Sequence, residues 1–574
     1  MGFFRKLFGS GPKSAEDCFN RGVTHFEGGE YDAAIAAWSE ALTIEPGYPE
    51  ADYNIGTAYD RLGQHAEALA AFKKAVAIEP GDPDVHLNMG CAYGELGQYT
   101  EEVAAYMEAI AIEPGFAGAY SNMGAAYNKL GQYAEAIAAC ERAVAINPRF
   151  AEAYFNMGVA YGMVGRHADE VAAYKKAIEI NPNDAKVHVN IGGAKIGLGQ
   201  YAEAVIAYKD AVAIRPDLAG AYCNMGYAHG ELGQLSEAVA ACRKAIDIKP
   251  DYAEALLNMS NALIGLGQHA DAIAACREAV AIKVDYAEAY YNMGLAYNSL
   301  EQYDEALAAL KKAVAIKPDC ARACYNMGVA HAELGQHAEA LAAFRKAVAI
   351  KSDDAEAYAN MGFACLQLEQ YAEAIAALEE AIAINPNDAD AYCTMGTAYG
   401  RLGRYAEQIT AYKKAIALKH ECAEAYYNMG CAYNELGRHT DAIPAFKNAI
   451  AIKPDHVWAH NNMGVACLQL EQYTEAIAAC EKAVAINPDD TRAYVNMGIA
   501  YIALERYTKA IAALKKAIAI EPDHTIAYYN RAVAHHCSGN YDKAWADVKA
   551  GRRLGGEVDP AFLAELRKAS GRVE

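Results

Sequence analysis

The residues best suited to recognise another molecule in this sequence are asparagines that recur every 34 residues. Fifteen of them occur between Asn20 and Asn530, and Thr394 takes the remaining position of the series. A side-chain amide offers both a donor and an acceptor, so such a row suits a peptide backbone. Asparagine is also a mediocre helix former, so its recurrence within helices requires a compensating gain. Two interpretations stand together: the amides bind a ligand, or they bond to a neighbouring helix and set the repeat spacing.

Aromatic residues accompany this row. Tyr291, Tyr325 and Tyr427 each precede one of the asparagines, and Trp458 stands where many repeats carry Glu or Asp. An exposed Trp beside a binding surface is a plausible hot spot, whereas packing on the adjacent repeat is the alternative for all four residues. We interpret these four aromatic residues as peptide-binding candidates together with Asn54, Asn88, Asn122, Asn156, Asn190, Asn224, Asn258, Asn292, Asn326, Asn360, Asn428, Asn462 and Asn496.

No pattern typical of an enzyme or a metal site accompanies the asparagines. The sequence contains no glycine-rich phosphate loop, nucleophile elbow or metalloprotease helix motif. His456 and His460 are four residues apart, and His535, His536 and Cys537 are adjacent, but neither group has a convincing fourth ligand. Near-identical repetition also works against an active site, which needs unlike residues at one place. We therefore predict a non-enzymatic protein without cofactor or metal.

The helices that position the asparagines are predicted from the same 34-residue repeat. Sixteen repeats of 34 residues run from Ala15 to Val558 without insertion or deletion, and Pro46, Pro80 and Pro114 begin a proline series at this spacing. Each repeat contains two runs with apolar residues at spacings of three and four, which predicts two helices. The Pro-Asp or Pro-Asn pair is expected to end the second helix and cap the next. Neither helix buries its apolar stripe alone, so we expect stacked hairpins in an all-α solenoid.

Counting Ala15 as position 1, the repeats share Gly at position 8, Tyr at 11, Ala at 20 and 27, and Pro at 32. This pattern resembles the tetratricopeptide repeat (TPR) family over residues 15–558. The resemblance implies a right-handed superhelix whose first helices line a concave groove. The asparagines, at position 6, are similar to the asparagine ladder in the TPR superhelix of O-linked N-acetylglucosamine transferases, where the ladder binds extended polypeptide. The catalytic domain of those enzymes has no counterpart in this sequence.

A second recognition mode of the family is excluded by the residues. TPR adaptors that grip the carboxylate tails of chaperones use lysine at position 5 and further basic residues at position 6. Here neither position holds Lys or Arg in any repeat. The sequence therefore does not predict a carboxylate clamp.

Composition and charge exclude further classes of partner. The 574 residues include 73 acidic and 51 basic side chains, giving a net charge of -22 that repels nucleic-acid phosphates. No run of 18 apolar residues occurs, and no signal peptide is visible. The 15 cysteines are odd in number and scattered. This favours free thiols in a reducing compartment, and hence a cytoplasmic protein.

The two ends differ from the repeats. Residues 1–14 begin with an amphipathic basic and aromatic segment, Met1–Gly9, which suits weak membrane-surface contact or docking on a partner. The alternative is a frayed terminus that partly covers the first repeat. Residues 559–574 are expected to form a capping helix and tail, because Asp559-Pro560 is a helix start and Phe562 and Leu566 share one face. The last repeat is also degenerate, with Arg531, Ala532 and Gly551 at repeated positions.

Some residues depart from the pattern inside the repeats. Glu301, Glu369, Glu471 and Glu505 replace the turn glycine and are predicted to cost about 1 kcal/mol each in a left-handed conformation. Glu102, Glu170 and Gln408 replace the packing Ala at position 20, four residues before Tyr106, Tyr174 and Tyr412. We interpret them as structural, each bonded to its tyrosine hydroxyl. Lys195 replaces the Tyr at position 11 and either extends along the surface or places a charge in the groove.

Three hypotheses for function follow. The first is a protein-interaction scaffold that binds an extended or helical segment through the amides and their apolar and tyrosyl flanks. The second is a structural assembler that associates with copies of itself. The third is a regulatory or substrate-recruiting subunit of a separately encoded enzyme. The identity of the partner does not follow from the repeats.

Overall fold

The computed structural model describes residues 14–572, which form 33 α-helices and no strand. The helices fall into two compact units divided after Asn292, inside α17. The first unit contains α1 Ala15–Glu27, α2 Tyr31–Ile44, α3 Pro49–Arg61, α4 His65–Ile78, α5 Pro83–Glu95, α6 Tyr99–Ile112, α7 Ala117–Lys129, α8 Tyr133–Ile146, α9 Ala151–Met163, α10 His167–Ile180, α11 Ala185–Gly197, α12 Tyr201–Ile214, α13 Ala219–Glu231, α14 Leu235–Ile248, α15 Ala253–Gly265 and α16 His269–Ile282.

Helix α17 spans Ala287–Ser299. The second unit contains α18 Tyr303–Ile316, α19 Ala321–Glu333, α20 His337–Ile350, α21 Ala355–Gln367, α22 Tyr371–Ile384, α23 Ala389–Arg401, α24 Tyr405–Leu418, α25 Ala423–Glu435, α26 His439–Ile452, α27 Val457–Gln469, α28 Tyr473–Ile486, α29 Thr491–Ala503, α30 Tyr507–Ile520, α31 Thr525–Cys537, α32 Tyr541–Arg553 and α33 Pro560–Ser570.

Each hairpin is closed by a three-residue turn whose middle residue is left-handed. Gly97 has a φ of 73°, and the N–H of Gln98 donates to the carbonyl of Tyr93 at 2.9 Å. This bond reaches back five residues and satisfies a carbonyl at the end of the first helix, as in a Schellman motif. Because the turn has the same length in every repeat, the second helix returns along the first in the same register.

The two helices of a hairpin pack closely where position 8 is glycine. A Cβ built on Gly56 would lie 2.6 Å from the ring of Phe72, so a larger residue there would push the helices apart. The second helix then packs on the first helix of the next hairpin: Leu69, Phe72 and Val85 share one buried cluster. In the second unit, Phe446, Ala459 and Ala466 do the same. The all-α solenoid of stacked hairpins is therefore confirmed; the right-handed superhelix and its concave groove stay predictions.

The start of the first helix differs from the expectation. The cap is position 34, one residue after the Pro-Asp or Pro-Asn pair: Asp184 accepts from the N–H groups of Lys186 and Val187. In other repeats position 34 is aromatic, as at Tyr252, and makes no side-chain cap bond. Packing of position 34 on the preceding hairpin replaces the cap there, which the sequence pair did not indicate.

At the C-terminal end, α33 covers the last hairpin. Asp559 caps the helix by accepting from the N–H of Ala561, and Phe562, Leu563 and Leu566 are buried in one cluster with Trp545. The capping helix is thus part of the fold. The segment Met1–Gly9, for which we predicted membrane or partner contact, lies outside the described residues. No helix within residues 14–572 is long and apolar enough to cross a bilayer.

All fifteen cysteines lie in the described range and are free thiols. Cys140, Cys242, Cys276 and Cys480 occupy position 24, fully buried under the small residue at position 8 of their hairpin. Burial raises the pKa of Cys140, Cys242 and Cys480 to about 12, and that of Cys276 to about 11. These thiols fill space in the core and are chemically inert in the folded chain.

We expect iodoacetamide to alkylate the exposed Cys537 in the native protein while these four buried thiols stay unmodified. The reagent attacks the thiolate and needs access to it. Burial raises the pKa of Cys537 as well, so its exposure is what distinguishes it from the four fully buried thiols. Peptide mass spectrometry before and after unfolding in guanidinium measures the modified fraction at each cysteine. Equal rates at Cys537 and Cys140 in the native chain would contradict the packing described above.

Candidate functional site

The asparagines at position 6 lie in the middle of the first helix of each repeat. Of the thirteen candidates, Asn292 is buried, Asn224 is exposed and the others are half-buried. Positions 2, 5, 6 and 9 of a helix share one face. We call this surface of the first helices in each unit the ladder face, and the thirteen asparagines the ladder.

Most ladder amides hold neighbouring repeats together. Asn88 Nδ2 donates to the hydroxyl of Tyr53 at 2.8 Å, 35 residues earlier. Asn156 Nδ2 donates in the same way to the carbonyl of Ser121 at 3.3 Å. Nine of the thirteen donate to the preceding repeat, namely Asn88, Asn122, Asn156, Asn190, Asn258, Asn292, Asn360, Asn462 and Asn496. Asn326 instead donates to the carbonyl of Arg322 in its own helix.

Each of these bonds uses the Nδ2 donor of the ladder amide. An amide oxygen has two lone pairs, so Oδ1 keeps its capacity to accept hydrogen bonds while Nδ2 is engaged. Most ladder side chains are half-buried, and most use one of the two N–H groups of Nδ2, so Oδ1 is the atom that these bonds leave fully available to accept. The structural and the ligand-binding interpretations therefore use different atoms of the same side chain.

The tyrosines next to the ladder take part in the same bonds. Tyr325 accepts from Asn360 Nδ2 at 3.1 Å and donates to Glu356 Oε1 at 2.6 Å. Tyr427 accepts from Asn462 Nδ2 at 3.2 Å. Burial raises the pKa of both hydroxyls, so they stay neutral. Tyr291 is half-buried at the equivalent position. The hydroxyls of Tyr325 and Tyr427 thus position the ladder residues Asn360 and Asn462.

A second set of asparagines, at position 12, was missed from the sequence. Asn128 Nδ2 donates to the backbone carbonyl of Asn156 at 2.8 Å, and Asn298 Nδ2 donates to that of Asn326 at 3.1 Å. Asn434 repeats the bond to Asn462 at 3.4 Å. Each of the three therefore holds the backbone of a ladder residue in the next repeat. Their spacing by multiples of 34 was the signal that could have identified them.

Large apolar side chains are exposed beside the ladder. Trp458 is 57% exposed, which favours the surface interpretation over packing on the next helix. Its ring meets the edge of His456, which lies 4.7 Å from the ring of Tyr427. Phe363 and Tyr227, at position 9, are also exposed. These rings offer apolar contact area on the same face as the amide oxygens.

The histidines considered as metal ligands have other roles. His456 Nδ1 accepts from the N–H of Ala459 and caps α27, and burial lowers the pKa of this imidazole. His460 Nε2 lies 3.0 Å from the carbonyl of Pro454. Within residues 14–572 no group of three or more potential ligand side chains comes together.

The residues that depart from the repeat pattern at positions 11 and 20 have different hydrogen-bond partners. Lys195 Nζ donates to Gln200 Oε1 in its own turn at 2.5 Å, an exposed contact that holds the ammonium group at the turn. Glu102 Oε1 accepts from the Tyr106 hydroxyl at 3.2 Å, as predicted. Glu170 instead accepts from His167 Nδ1 at 2.8 Å. The Tyr412 hydroxyl is hydrogen-bonded to Gln408, as predicted, and lies 3.0 Å from Thr397 Oγ1. The hydrogen-bond partner of Glu170 is thus His167, where we predicted Tyr174.

Comparison with solved structures finds partial likenesses. YrrB, a TPR protein with an unusual peptide-binding site, is 26% identical over 32% of this chain and 95% of its own, with a TM-score of 0.31. MamA from Desulfovibrio magneticus RS-1 is 26% identical over 29% of this chain and 94% of its own, with a TM-score of 0.28. Cut9–Hcn1, an APC/C hetero-tetramer, gives 15% identity over 85% and 96%, with a TM-score of 0.32. No curated protein matches the chain significantly.

Family models match along most of the chain. Those of the tetratricopeptide repeat match residues 19–83, 71–104, 151–184, 219–252, 253–285, 393–457, 433–497 and 468–535. A further TPR repeat model matches residues 90–131, 124–165, 194–233, 294–335, 330–369 and 364–403. With its helical hairpins, position-8 glycines and uniform repeat length, the chain belongs to the tetratricopeptide repeat family and is a helical scaffold for protein–protein interaction.

Proposed function

We propose that the chain is a non-enzymatic scaffold that binds an extended polypeptide along the ladder face. The observation that carries the proposal is that the two polar atoms of the ladder amides have different roles. Their Nδ2 atoms donate to the preceding repeat, which leaves the Oδ1 atoms to accept from the partner. No cofactor or metal is needed for such recognition, and the buried free thiols suit a cytoplasmic location.

Because the ladder offers Oδ1 acceptors, an extended partner fits it better than a helical one. Inside a helix the backbone N–H groups are already bonded to carbonyls four residues earlier. An extended segment leaves its N–H groups free, and these are the donors that Oδ1 acceptors require. Of the two partner conformations considered from the sequence, the extended one therefore fits the ladder better.

The side chains of the partner would contact the rings beside the ladder. Trp458 and Phe363 are exposed in the second unit, and Tyr227 in the first. Rigid aromatic side chains contribute contact area with little loss of rotamer freedom, so they are effective at interfaces. The net charge of -22 disfavours acidic segments, which leaves neutral or basic ones.

The proposal is tested with a random library of 12-residue peptides captured by the full chain. For a selected peptide, methylating one backbone nitrogen at a time removes single N–H donors without touching the protein. We expect alternate positions to weaken binding by about 2- to 10-fold each, the value of one hydrogen bond. Isothermal titration calorimetry provides the affinities. No effect of methylation at any position would contradict the use of the ladder oxygens.

A protein-side control separates the ladder from other amides. Asn360, Asn428 and Asn462 changed together to Ala should weaken binding, whereas Asn387 and Asn448, which are exposed outside the ladder face, should be silent when changed to Ala. Because the first set also bonds neighbouring repeats, circular dichroism must show that both variants keep their helix content. Equal binding by the two variants would remove the ladder from the site.

A further inference from the structure

A hollow on the ladder face of the first unit has a buried carboxylate in its lining. The hollow has a volume of about 350 Å³ and lies between α9 and α10 of one repeat and α11 of the next. Val159, Met163 and Val189 form its apolar wall, and the ladder residues Asn190 and Asn224 line its edge. Glu170 and the Tyr174 ring complete it.

Glycine at position 12 makes room for this carboxylate. A Cβ built on Gly162 would lie 2.6 Å from Glu170 Oε1, so any larger residue would collide with the carboxylate. Glu170 is 8% exposed, and its Oε2 accepts from His167 Nδ1 at 2.8 Å. Its ion-pair partner within the described residues is this histidine.

The same pairing of positions occurs at each long polar residue of position 20. Thirteen repeats have Ala there, and the three exceptions are Glu102, Glu170 and Gln408. Their position-12 partners are Gly94, Gly162 and Gly400, with a built Cβ 2.6–2.8 Å from the polar side chain in each case. Glu102 is bonded to Tyr106, whereas Glu170 faces a hollow large enough to receive a side chain. The exceptions therefore differ in what remains available to a ligand.

We propose that the hollow at Glu170 binds a lysine or arginine side chain of the polypeptide on the ladder face. These side chains combine a long apolar stem with a cationic end, which matches an apolar wall that leads to a carboxylate. A buried carboxylate gains electrostatically from a cationic group placed within hydrogen-bond distance of it. The inference rests on the proposed function and names the chemistry of the partner at one subsite.

The second unit contains a natural comparison. There a hollow of about 380 Å³ is lined by Thr397, Gly400, Gln408, Tyr412 and Asn428, so an amide stands where the first unit has the carboxylate. Its lining also includes Arg401 and Glu435, one residue of each charge, so without a carboxylate at position 20 we expect a weaker cation preference here than at Glu170. It also shows that Gln is compatible with the local packing, so Glu170→Gln is a conservative variant.

The test uses the immobilised full chain and a synthetic mixture of 12-residue peptides. All positions are random among neutral residues except one central position, which holds lysine, arginine, norleucine or glutamine. Mass spectrometry of the retained peptides gives the ratio of lysine or arginine to norleucine, which has the stem of lysine without the cation. We expect a ratio of about tenfold for the wild type, the value of a hydrogen bond between charged groups.

The variants locate this preference. Glu170→Gln should lower the ratio towards one, whereas Glu203→Gln, an equal change of net charge at an exposed position of α12 outside the ladder face, should leave it nearly unchanged. Gln408→Glu should raise the ratio above the wild-type value by creating a second carboxylate hollow. Circular dichroism monitors folding of each variant. Carbodiimide coupling of a bound lysine peptide to Glu170, found by peptide mapping, supplies an independent readout.

The outcomes separate this inference from the proposed function. Retention of neutral peptides with no cation preference, or with a preference unchanged in Glu170→Gln, would overturn the lysine and arginine subsite and leave peptide binding intact. A preference reduced equally by Glu203→Gln would assign it to net charge and also overturn the subsite. Failure to retain any peptide would overturn the proposed function and this inference together.

Discussion

Replacing Arg531 by Met is expected to destabilise the last repeat by about 3–5 kcal/mol, the usual cost of removing one partner from a buried ion pair. Arg531 Nε donates to Asp547 Oδ2 at 2.9 Å, and Nη2 donates to Oδ1 at 2.6 Å. The two side chains are only 18% and 9% exposed. Without the guanidinium, the Asp547 carboxylate would stay buried without its counter-charge. The repeat that supports α33 would then open more often.

The matched control is the double variant Arg531→Met with Asp547→Ala. Position 7 is Met or Ile in the fourteen internal repeats, and position 23 is Ala in all fifteen repeats before the last one. The double variant therefore recreates the pair of residues found in an internal repeat. It should recover most of the stability, because two well-packed apolar residues replace a buried ion pair at little cost. Hydrogen exchange of peptides from residues 525–553 measures the local opening. A single variant as protected as the double would contradict the argument.

This ion pair explains why the last repeat departs from the pattern. An internal position 7 is apolar, and Met157 shares one buried cluster with Cys140 of the preceding hairpin and Ala173 of its own second helix. In the first and last repeats position 7 is Arg, and terminal repeats of a solenoid commonly depart from the internal pattern. Arg21 occupies position 7 of the first repeat and pairs with Glu40. The sequence identified Arg531 as anomalous, but its partner lies sixteen residues away and only the packing brings them together.

The fold itself was accessible from the sequence because every repeat has the same length. A hairpin turn with one left-handed residue and a glycine at position 8 specify how two helices pack, and repetition then specifies the stack. Caps were harder to predict. Asp184 and Asp388 cap their helices, whereas Tyr252 has no such bond in its repeat, since packing replaces the cap.

The sequence predicted where the ladder asparagines lie, but not which atoms of their amides form hydrogen bonds. The sequence places amides at position 6, yet whether Nδ2 or Oδ1 is engaged depends on acceptors 16 to 35 residues earlier, such as Tyr174 and Tyr53. The hollow at Glu170 was missed for a related reason. Positions 12 and 20 come together only because the two helices of a hairpin pack against each other. From the sequence alone, Gly162 is recognisable only as a residue of low helix propensity.

The bonds between repeats have a consequence for affinity. Because Nδ2 is anchored on the preceding repeat, the amide is held in one orientation before a partner arrives. Asn360 on Tyr325 and Asn462 on Tyr427 are examples, and the position-12 amide of Asn434 holds the backbone of Asn462 as well. A preorganised acceptor loses little rotamer freedom on binding, so more of each hydrogen bond contributes to affinity. The structural role of the ladder thus supports the proposed binding role.

The second large effect is expected at the four turns that carry glutamate. Glu301, Glu369, Glu471 and Glu505 have φ angles of 58–60°, as the sequence predicted from their replacement of the turn glycine. A left-handed L-residue costs about 1–2 kcal/mol, and glycine relieves this while losing about 0.5–1 kcal/mol of chain entropy on folding. Changing all four to Gly should therefore stabilise the second unit by about 2–4 kcal/mol in total.

Urea unfolding followed by circular dichroism, with hydrogen exchange to assign the gain to the second unit, measures this effect. The reverse substitution supplies the control: Gly403 has a φ of 71° in an equivalent turn, and Gly403→Glu should lose about 0.5–1 kcal/mol. The four turns are at least 34 residues apart and share no partners, so their effects should add. If the fourfold variant were no more stable than the wild type, the glutamates would have compensating interactions in their turns, and the backbone conformation alone would not determine the preference for glycine at this position.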